Sequence, residues 1–283
     1  MSWHRLPFSK MSGTGNDFII IDNRQKIVPS EEQVELTKLA CHRTLSLGAD
    51  GVIFIEPSSK ADFSWAFYNA DGSKAEMCGN GARCVTRYAQ TNGIGSGKIS
   101  FETGAGLVTG AVINESFVQI SMQDPHSIEL DYQLQVDDEK LYVSSINTGV
   151  PHVVIEEKHV EGKDLKSLGR KIRNHPRFQP QGTNVNFISI QDRGNIITKT
   201  YERGVEDFTL ACGTGAMAIA TICHARGLVD NPVKIHVAGG TLGVNFKQTE
   251  QGYKNLTLAG DARLICEGEL TREALNFKEK KNV

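Results

Sequence analysis

Two short segments, half a chain apart, carry the same arrangement: Cys78-Gly79-Asn80-Gly81-Ala82 and Cys212-Gly213-Thr214-Gly215-Ala216. Each cysteine stands just before a helical run, so it falls at or near a helix N-cap. There the first backbone N–H groups have no partner within the helix, and the positive end of the dipole favours anions. Such a position stabilises a thiolate: lowering a thiol pKa from ~8.5 to ~7 raises its thiolate fraction at pH 7 from roughly 3% to about half. The flanking glycines let the N–H groups of Gly79, Asn80, Gly213 and Thr214 approach a carboxylate without side-chain obstruction. If the two helix ends address one small acid, a thiolate meets one face of a carbon and a thiol the other. That is the minimum equipment for inverting a stereocentre by proton exchange. Two other readings of the same sulfurs stay open, a redox disulfide and simple packing as small buried side chains. A metal is not expected, because zinc asks for four ligands at spacings such as C-x₂-C, and Cys78 and Cys84 have no second pair. Nor does either glycine-rich nucleotide loop pattern occur.

The elements that must position these cysteines can be read from periodicity. Phe18–Ile21, Gly51–Ile55, Val118–Met122, His152–Ile155 and Val185–Ile188 are short, β-branched or aromatic, and bounded by turn residues, which predicts strands. Glu31–Cys41 and Leu165–Ile172 have the spacing of amphipathic helices preceded by helix-starting residues. Each cysteine motif opens a helical run that ends at glycine, Asn92-Gly93 in the first copy and Gly227 in the second. The second run, Ala216–Ala225, is apolar on nearly every side, as a helix surrounded by a curved sheet must be. Strands outnumber helices without regular alternation, so the expected class is α+β rather than a doubly wound parallel sheet. The repeat predicts two similar lobes related by pseudo-two-fold symmetry, each a mixed curved β-sheet wrapped around a central helix. One lobe is expected at 1–122 plus 258–283 and carries Cys78; the other, at 123–257, carries Cys212. Gln123-Asp124-Pro125-His126 is the expected hinge, and the Lys278–Lys281 run a solvated end.

Composition narrows the partners. The 283 residues suffice for two domains with sizeable cores. Thirty-one Lys and Arg against 33 Asp and Glu give a net charge of −2, with no basic stripe to neutralise a phosphate backbone, so nucleic acid is not expected. The longest apolar stretch, Ala216–Cys223, is far shorter than the roughly 20 residues that cross a bilayer, and the first residues lack a secretory apolar core. A cytoplasmic location follows as the expectation. Six cysteines are too few for a disulfide scaffold, so reduced thiols are expected.

Several motifs occur in one order: Gly13-Thr14-Gly15-Asn16-Asp17-Phe18, Asn69-Ala70-Asp71-Gly72-Ser73, Cys78 to Cys84, Pro151-His152, Tyr201-Glu202-Arg203-Gly204 and Ala211 to Ala216. On these residues, and over essentially its whole length, the chain resembles the diaminopimelate epimerase family of cofactor-independent amino-acid epimerases, which serve lysine and peptidoglycan precursor synthesis. The resemblance implies a substrate held between two like lobes, no metal and no pyridoxal phosphate, and a homodimer. It implies interconversion of LL- and meso-diaminopimelate by two-base exchange, with Cys78 the base and Cys212 the acid in the LL to meso direction. Position by position, it implies Asn16, Asn69, Asn184 and Arg203 around the charged groups of the substrate, with Glu202 and His152 near the thiols. The residue types suit those roles: Arg203 can hold a carboxylate through two donors, Glu202 can accept from an ammonium, and asparagine amides serve either group. This sequence departs from the family pattern at Val150, where asparagine is common, at Ser46 for glycine, at Gly51 for glutamine and at Phe208 for an acidic residue. These changes bear on how the non-reacting end of the substrate is held and leave the two thiols in place.

Overall fold

Runs such as Phe18-Ile19-Ile20-Ile21 and Val52-Ile53-Phe54-Ile55 are apolar at every position because the strands they form are covered on both faces. In the computed structural model, which describes residues 3–157 and 165–277, every one of these side chains is buried. The expected solvated end at 278–281 lies outside the described residues. The chain divides into two compact units, Met1–Ile120 with Asp261–Val283, and Ser121–Gly260.

In the first unit β1 (Arg5–Gly13), β2 (Asn16–Asp22), β3 (Gly51–Glu56), β4 (Phe63–Asn69), β5 (Ile99–Thr103), β6 (Gly106–Asn114) and β7 (Phe117–Ser121) pair in chain order. The second unit holds β8 (His126–Val136), β9 (Glu139–Asn147), β10 (Pro151–Glu156), β11 (Asn184–Asp192) and β12 (Asn195–Glu202), again paired in order. The two-residue β13 (Asp207–Phe208) lies on β12, and β14 (Val233–Val237), β15 (Gly240–Thr249) and β16 (Gly252–Asp261) continue the sheet from β12. The last strand, β17 (Arg263–Thr271), returns to the first unit and pairs antiparallel with β1. The order β17-β1-β2-β3-β4-β5-β6-β7 therefore matches β8-β9-β10-β11-β12-β14-β15-β16 strand for strand. Even the parallel steps coincide: β2/β3 and β4/β5 in one unit, β10/β11 and β12/β14 in the other. Parallel neighbours need a crossover, and each is bridged by a helix: α1 (Ser30–Ala40) and α2 (Gly79–Thr91) in the first unit, α3 (Leu165–Arg173) and α4 (Gly213–Ala225) in the second.

The two helices of each unit take different roles. Helix α1 packs on β3 and β4, and α3 on β11 and β12, each closing an apolar cluster on one face of its sheet. Helix α2 touches β1, β2, β3, β5 and β6, and α4 touches the matching β9, β10, β11, β14 and β15. A helix that reaches so many strands is one around which the sheet curls, and α4 accordingly buries every residue from Gly215 to Cys223. Both central helices end as the sequence predicts. Gly93 (φ +66°) and Gly227 (φ +70°) take the left-handed conformation, while Ile94 N–H reaches back to Ala89 and Leu228 N–H to Cys223, at 2.8 and 2.9 Å. Helix α1 starts differently from its sequence signal. It follows Pro29, and the Ser30 hydroxyl meets the Glu31 carboxylate (3.3 Å) instead of capping a backbone N–H. No helix among the described residues is long and apolar enough to cross a membrane.

Candidate active site

Cys78 and Cys212 are the N-cap residues of α2 and α4. Both backbones are extended (φ −146° and −126°), and each carbonyl accepts the first helical bond, from Ala82 N–H at 2.8 Å and Ala216 N–H at 2.9 Å. The N–H groups of Gly79, Asn80 and Gly81, and of Gly213, Thr214 and Gly215, therefore have no partner within their helices. Burial pushes Cys41, Cys84 and Cys223 up to about 12, so these remain protonated at neutral pH.

Below Cys78 a chain of side-chain hydrogen bonds runs in one direction. Arg83 donates to Asn80 Oδ1 (2.8 Å), Asn80 to Asn16 Oδ1 (2.6 Å), and Asn16 to Asp50 Oδ2 (2.8 Å). Arg83 also donates to Thr14 Oγ1 (2.7 Å), whose own hydroxyl donates to Asp261 Oδ1 (2.7 Å). Two predicted residues, Asn16 and Asn80, are thus brought into one network with the loop after β1. Asn69 stands outside it at the end of β4, where its amide bonds Ser73 Oγ at 3.0 Å.

A second network approaches Cys212. The orientation of the Asn186 amide is fixed, since its nitrogen donates to Val153 O (2.9 Å) and its oxygen accepts from Thr200 Oγ1 (2.9 Å). Its remaining N–H meets His152 Nδ1 at 3.2 Å, which makes that nitrogen the acceptor and Nε2 the protonated one. Burial, reinforced by the Arg203 charge, drives His152 down to about 3, so it stays neutral and this tautomer holds. His152 Nε2–H then donates to Thr214 Oγ1 (3.0 Å), and the same threonine oxygen lies 3.5 Å from Cys212 Sγ. Glu202 also stands against Cys212. Burial raises its carboxyl above the usual carboxylate range, against the opposing pull of hydrogen bonds from Thr209 (2.9 Å) and Cys212.

Asn184 acts on Arg203 through the main chain: its Oδ1 accepts Arg203 N–H (2.9 Å) and its Nδ2 donates to Pro151 O (3.2 Å). The Arg203 guanidinium donates to Gln181 O at 2.8 Å. Of the positions that depart from the family pattern, Phe208 packs edge-on against Phe187 and Tyr201. At Gly51 an ideal Cβ would lie 2.5 Å from Tyr68 O and 2.7 Å from the Phe67 ring, so that ring fills the place of any side chain. Sequence reasoning did not single out Thr14, Arg83, Asn186 or Asp261 as site residues. The available signal was Arg83, a lone charge amid Gly81, Ala82, Cys84 and Val85.

Two units of one topology, each with a cysteine capping its central helix, define a class of α+β protein with paired N-cap thiols. Over residues 8–128 and 144–265 the chain matches the family model described as Diaminopimelate epimerase. The diaminopimelate epimerase of Aquifex aeolicus (strain VF5) is 40% identical to it, covering 96% of this chain and 100% of that protein. That of Archaeoglobus fulgidus is 38% identical, covering 96% and 99%. The chain belongs to the diaminopimelate epimerase family. Among solved structures, a Bacillus anthracis phenazine biosynthesis protein of the PhzF family shares the fold, with a TM-score of 0.72, 14% identity, and 95% and 99% of the two chains covered. A hydroxyproline epimerase from Agrobacterium vitis does so with a TM-score of 0.69, 17% identity, and 96% and 94% covered.

Proposed function

We propose that this chain is an isomerase that interconverts LL- and meso-diaminopimelate, using Cys78 and Cys212 as an acid-base pair. The observation that carries the mechanism is the matched placement of the two cysteines at the N-caps of equivalent helices. In the LL to meso direction the Cys78 thiolate takes the α-proton, and the Cys212 thiol returns its own to the opposite face of the carbon. Cys78 leaves the turnover as a thiol and Cys212 as a thiolate, the pair that runs the meso to LL direction; release of the Cys78 proton to solvent and uptake of one by Cys212 reset them for the next LL to meso turnover. Acid-base groups alone supply about 10²- to 10⁴-fold, and Cα–H is weakly acidic, so the carbanion needs further stabilisation. The open N–H groups at 79–81 and 213–215 are donors suited to the substrate carboxylate, where that charge develops. Arg203 and Glu202 complement the charged groups of a zwitterion, and Asn16, Asn69 and Asn184 complete a polar shell by direct contact or by holding those residues. The reading extends to a homodimer acting in the cytoplasm, without metal or pyridoxal phosphate, in lysine and peptidoglycan precursor synthesis.

The test is proton NMR of reduced protein with LL-diaminopimelate in D₂O and no added cofactor. Loss of the α-proton signal with appearance of the meso isomer is expected. Cys78→Ala and Cys212→Ala should each abolish inversion while leaving the circular dichroism spectrum unchanged. Substantial inversion by either variant, or faster turnover of a monofunctional amino acid, would overturn the mechanism or the substrate respectively.

A further inference from the structure

The repeat is not symmetric one turn into its central helices. Counting from each cysteine, Arg83 of α2 corresponds to Met217 of α4, and both side chains are fully buried. A buried guanidinium stays charged and normally demands a carboxylate. Among the described residues, the acceptors of Arg83 are neutral: Asn80 Oδ1, Thr14 Oγ1, and the carbonyls of Gly79 and Asp261. The nearby Asp261 carboxylate is spent elsewhere, one oxygen on Thr14 N–H and hydroxyl, the other on Arg263 at 3.0 Å. Cys84, next in sequence, is pushed up to about 12 by burial and carries no charge. The strands packed on α2 supply no other counter-ion. On β1 and β2, Lys10 pairs with Asp17 and Arg24 with Asp22; on β3 and β5, Glu56 bonds Asn23 and Gln33, and Glu102 bonds Ser58; β6 has no ionisable residue. Arg87 of α2 itself donates to Ala262 O. What remains electrostatically coupled to Arg83, besides Asp261 and Cys84, is Cys78.

We propose that Arg83 is a positioning residue for Cys78: its buried charge favours the Cys78 sulfur as a thiolate, and Met217 gives Cys212 no equivalent. The inference rests on the acid-base reading above and adds to it an order of acidity. The free enzyme holds its thiolate on Cys78, ready to take a proton, and the thiol on Cys212, ready to give one. Around Cys212, the buried Glu202 carboxyl accepts from the sulfur and so favours it as a thiol, neutral His152 adds no cation, and the Arg203 guanidinium whose charge reaches His152 is engaged with Gln181 O. The same cation orders the cradle, since Arg83 grips both the Asn80 amide and the Gly79 carbonyl in the first turn of α2.

The test is alkylation by iodoacetamide as a function of pH in the substrate-free full chain, read cysteine by cysteine by mass spectrometry and scaled to each site's own alkaline plateau. In the unsubstituted protein Cys78 should titrate about one pH unit below Cys212. Arg83→Met, which copies the residue of the second unit, should raise the Cys78 midpoint by about one unit, roughly tenfold less thiolate at neutral pH, and leave Cys212 where it was. Arg83→Lys keeps the charge and should keep most of the shift. An unmoved Cys78 in Arg83→Met, or an equal displacement in Arg83→Lys, overturns the proposal. If Arg83→Met fails to fold, the unsubstituted protein still decides, because Cys212 titrating at or below Cys78 overturns it as well. No substrate is involved, so a failure of the epimerase reading appears separately, as missing α-proton exchange.

Discussion

His152 shows how much a single side chain settles by staying uncharged. A neutral ring with a fixed tautomer accepts from the Asn186 amide and donates to Thr214 beside Cys212, whereas a protonated ring would set a second N–H against the Asn186 amide. Its folded-state pKa, lowered by burial from 6.5 to about 3, has a consequence for stability. Below pH 6.5 the unfolded chain binds a proton that the native state refuses, so stability falls with acidification until about pH 3 and is flat in this contribution below that. The difference between the parent and His152→Gln in urea denaturation should therefore change by about 1.4 kcal/mol per pH unit across that window, in favour of the variant as pH falls. Parallel acid limbs would refute the buried neutral histidine. At this scale the sequence was informative about which residues matter and less so about what they touch. Asn184 is expected near the substrate and Asn80 to offer its backbone N–H; what spacing does not show is that their side-chain amides bond Pro151, Arg203, Asn16 and Arg83. An amide has four hydrogen-bonding positions, and local spacing does not reveal which neighbours fill them.

The central helices were the most legible elements, because their signals are local. A cysteine and two glycines mark the start, a left-handed glycine marks the end, and the buried face follows the 3.6-residue period or, in α4, wraps fully round. The doubly covered strands β2, β3, β10 and β11 were legible for the same reason, as unbroken apolar runs. Strands such as β8 and β17 were not. Arg263–Thr271 buries only Leu270, so no alternation is written into it, and its existence depends on a partner at the far end of the chain. The first turn of α4 leaves little room. An ideal Cβ on Gly215 would lie 2.6 Å from Asn186 Oδ1 and 3.3 Å from Cys212 Sγ, both fixed in the network below the thiol. Gly215→Ala should therefore cost about 1–3 kcal/mol of stability. It should also depress turnover far more than binding, since the displaced groups aim the sulfur. A stable variant with normal turnover would show that the turn yields freely.

At the scale of the whole molecule, the duplicated topology is legible in the repeated cysteine motif, but the route of the chain is not. The second unit is continuous, whereas the first is interrupted by it and completed only by β17. Because contacts of such long sequence separation form late, the first unit should be the slower to gain its full ladder.

That interruption also sets the first and last described strands side by side. Arg5 lies opposite Thr271, and Arg272 bonds the carbonyl of Trp3 at 2.5 Å, so the start and finish of the described chain are neighbours across one antiparallel pair. The molecule is therefore suited to circular permutation. Linking residue 277 to residue 3 and opening the chain between Gln123 and Asp124 would write the interrupted unit as one uninterrupted stretch, turning a nested order into a tandem one. The permuted protein should fold and invert its substrate at a rate close to the parent's.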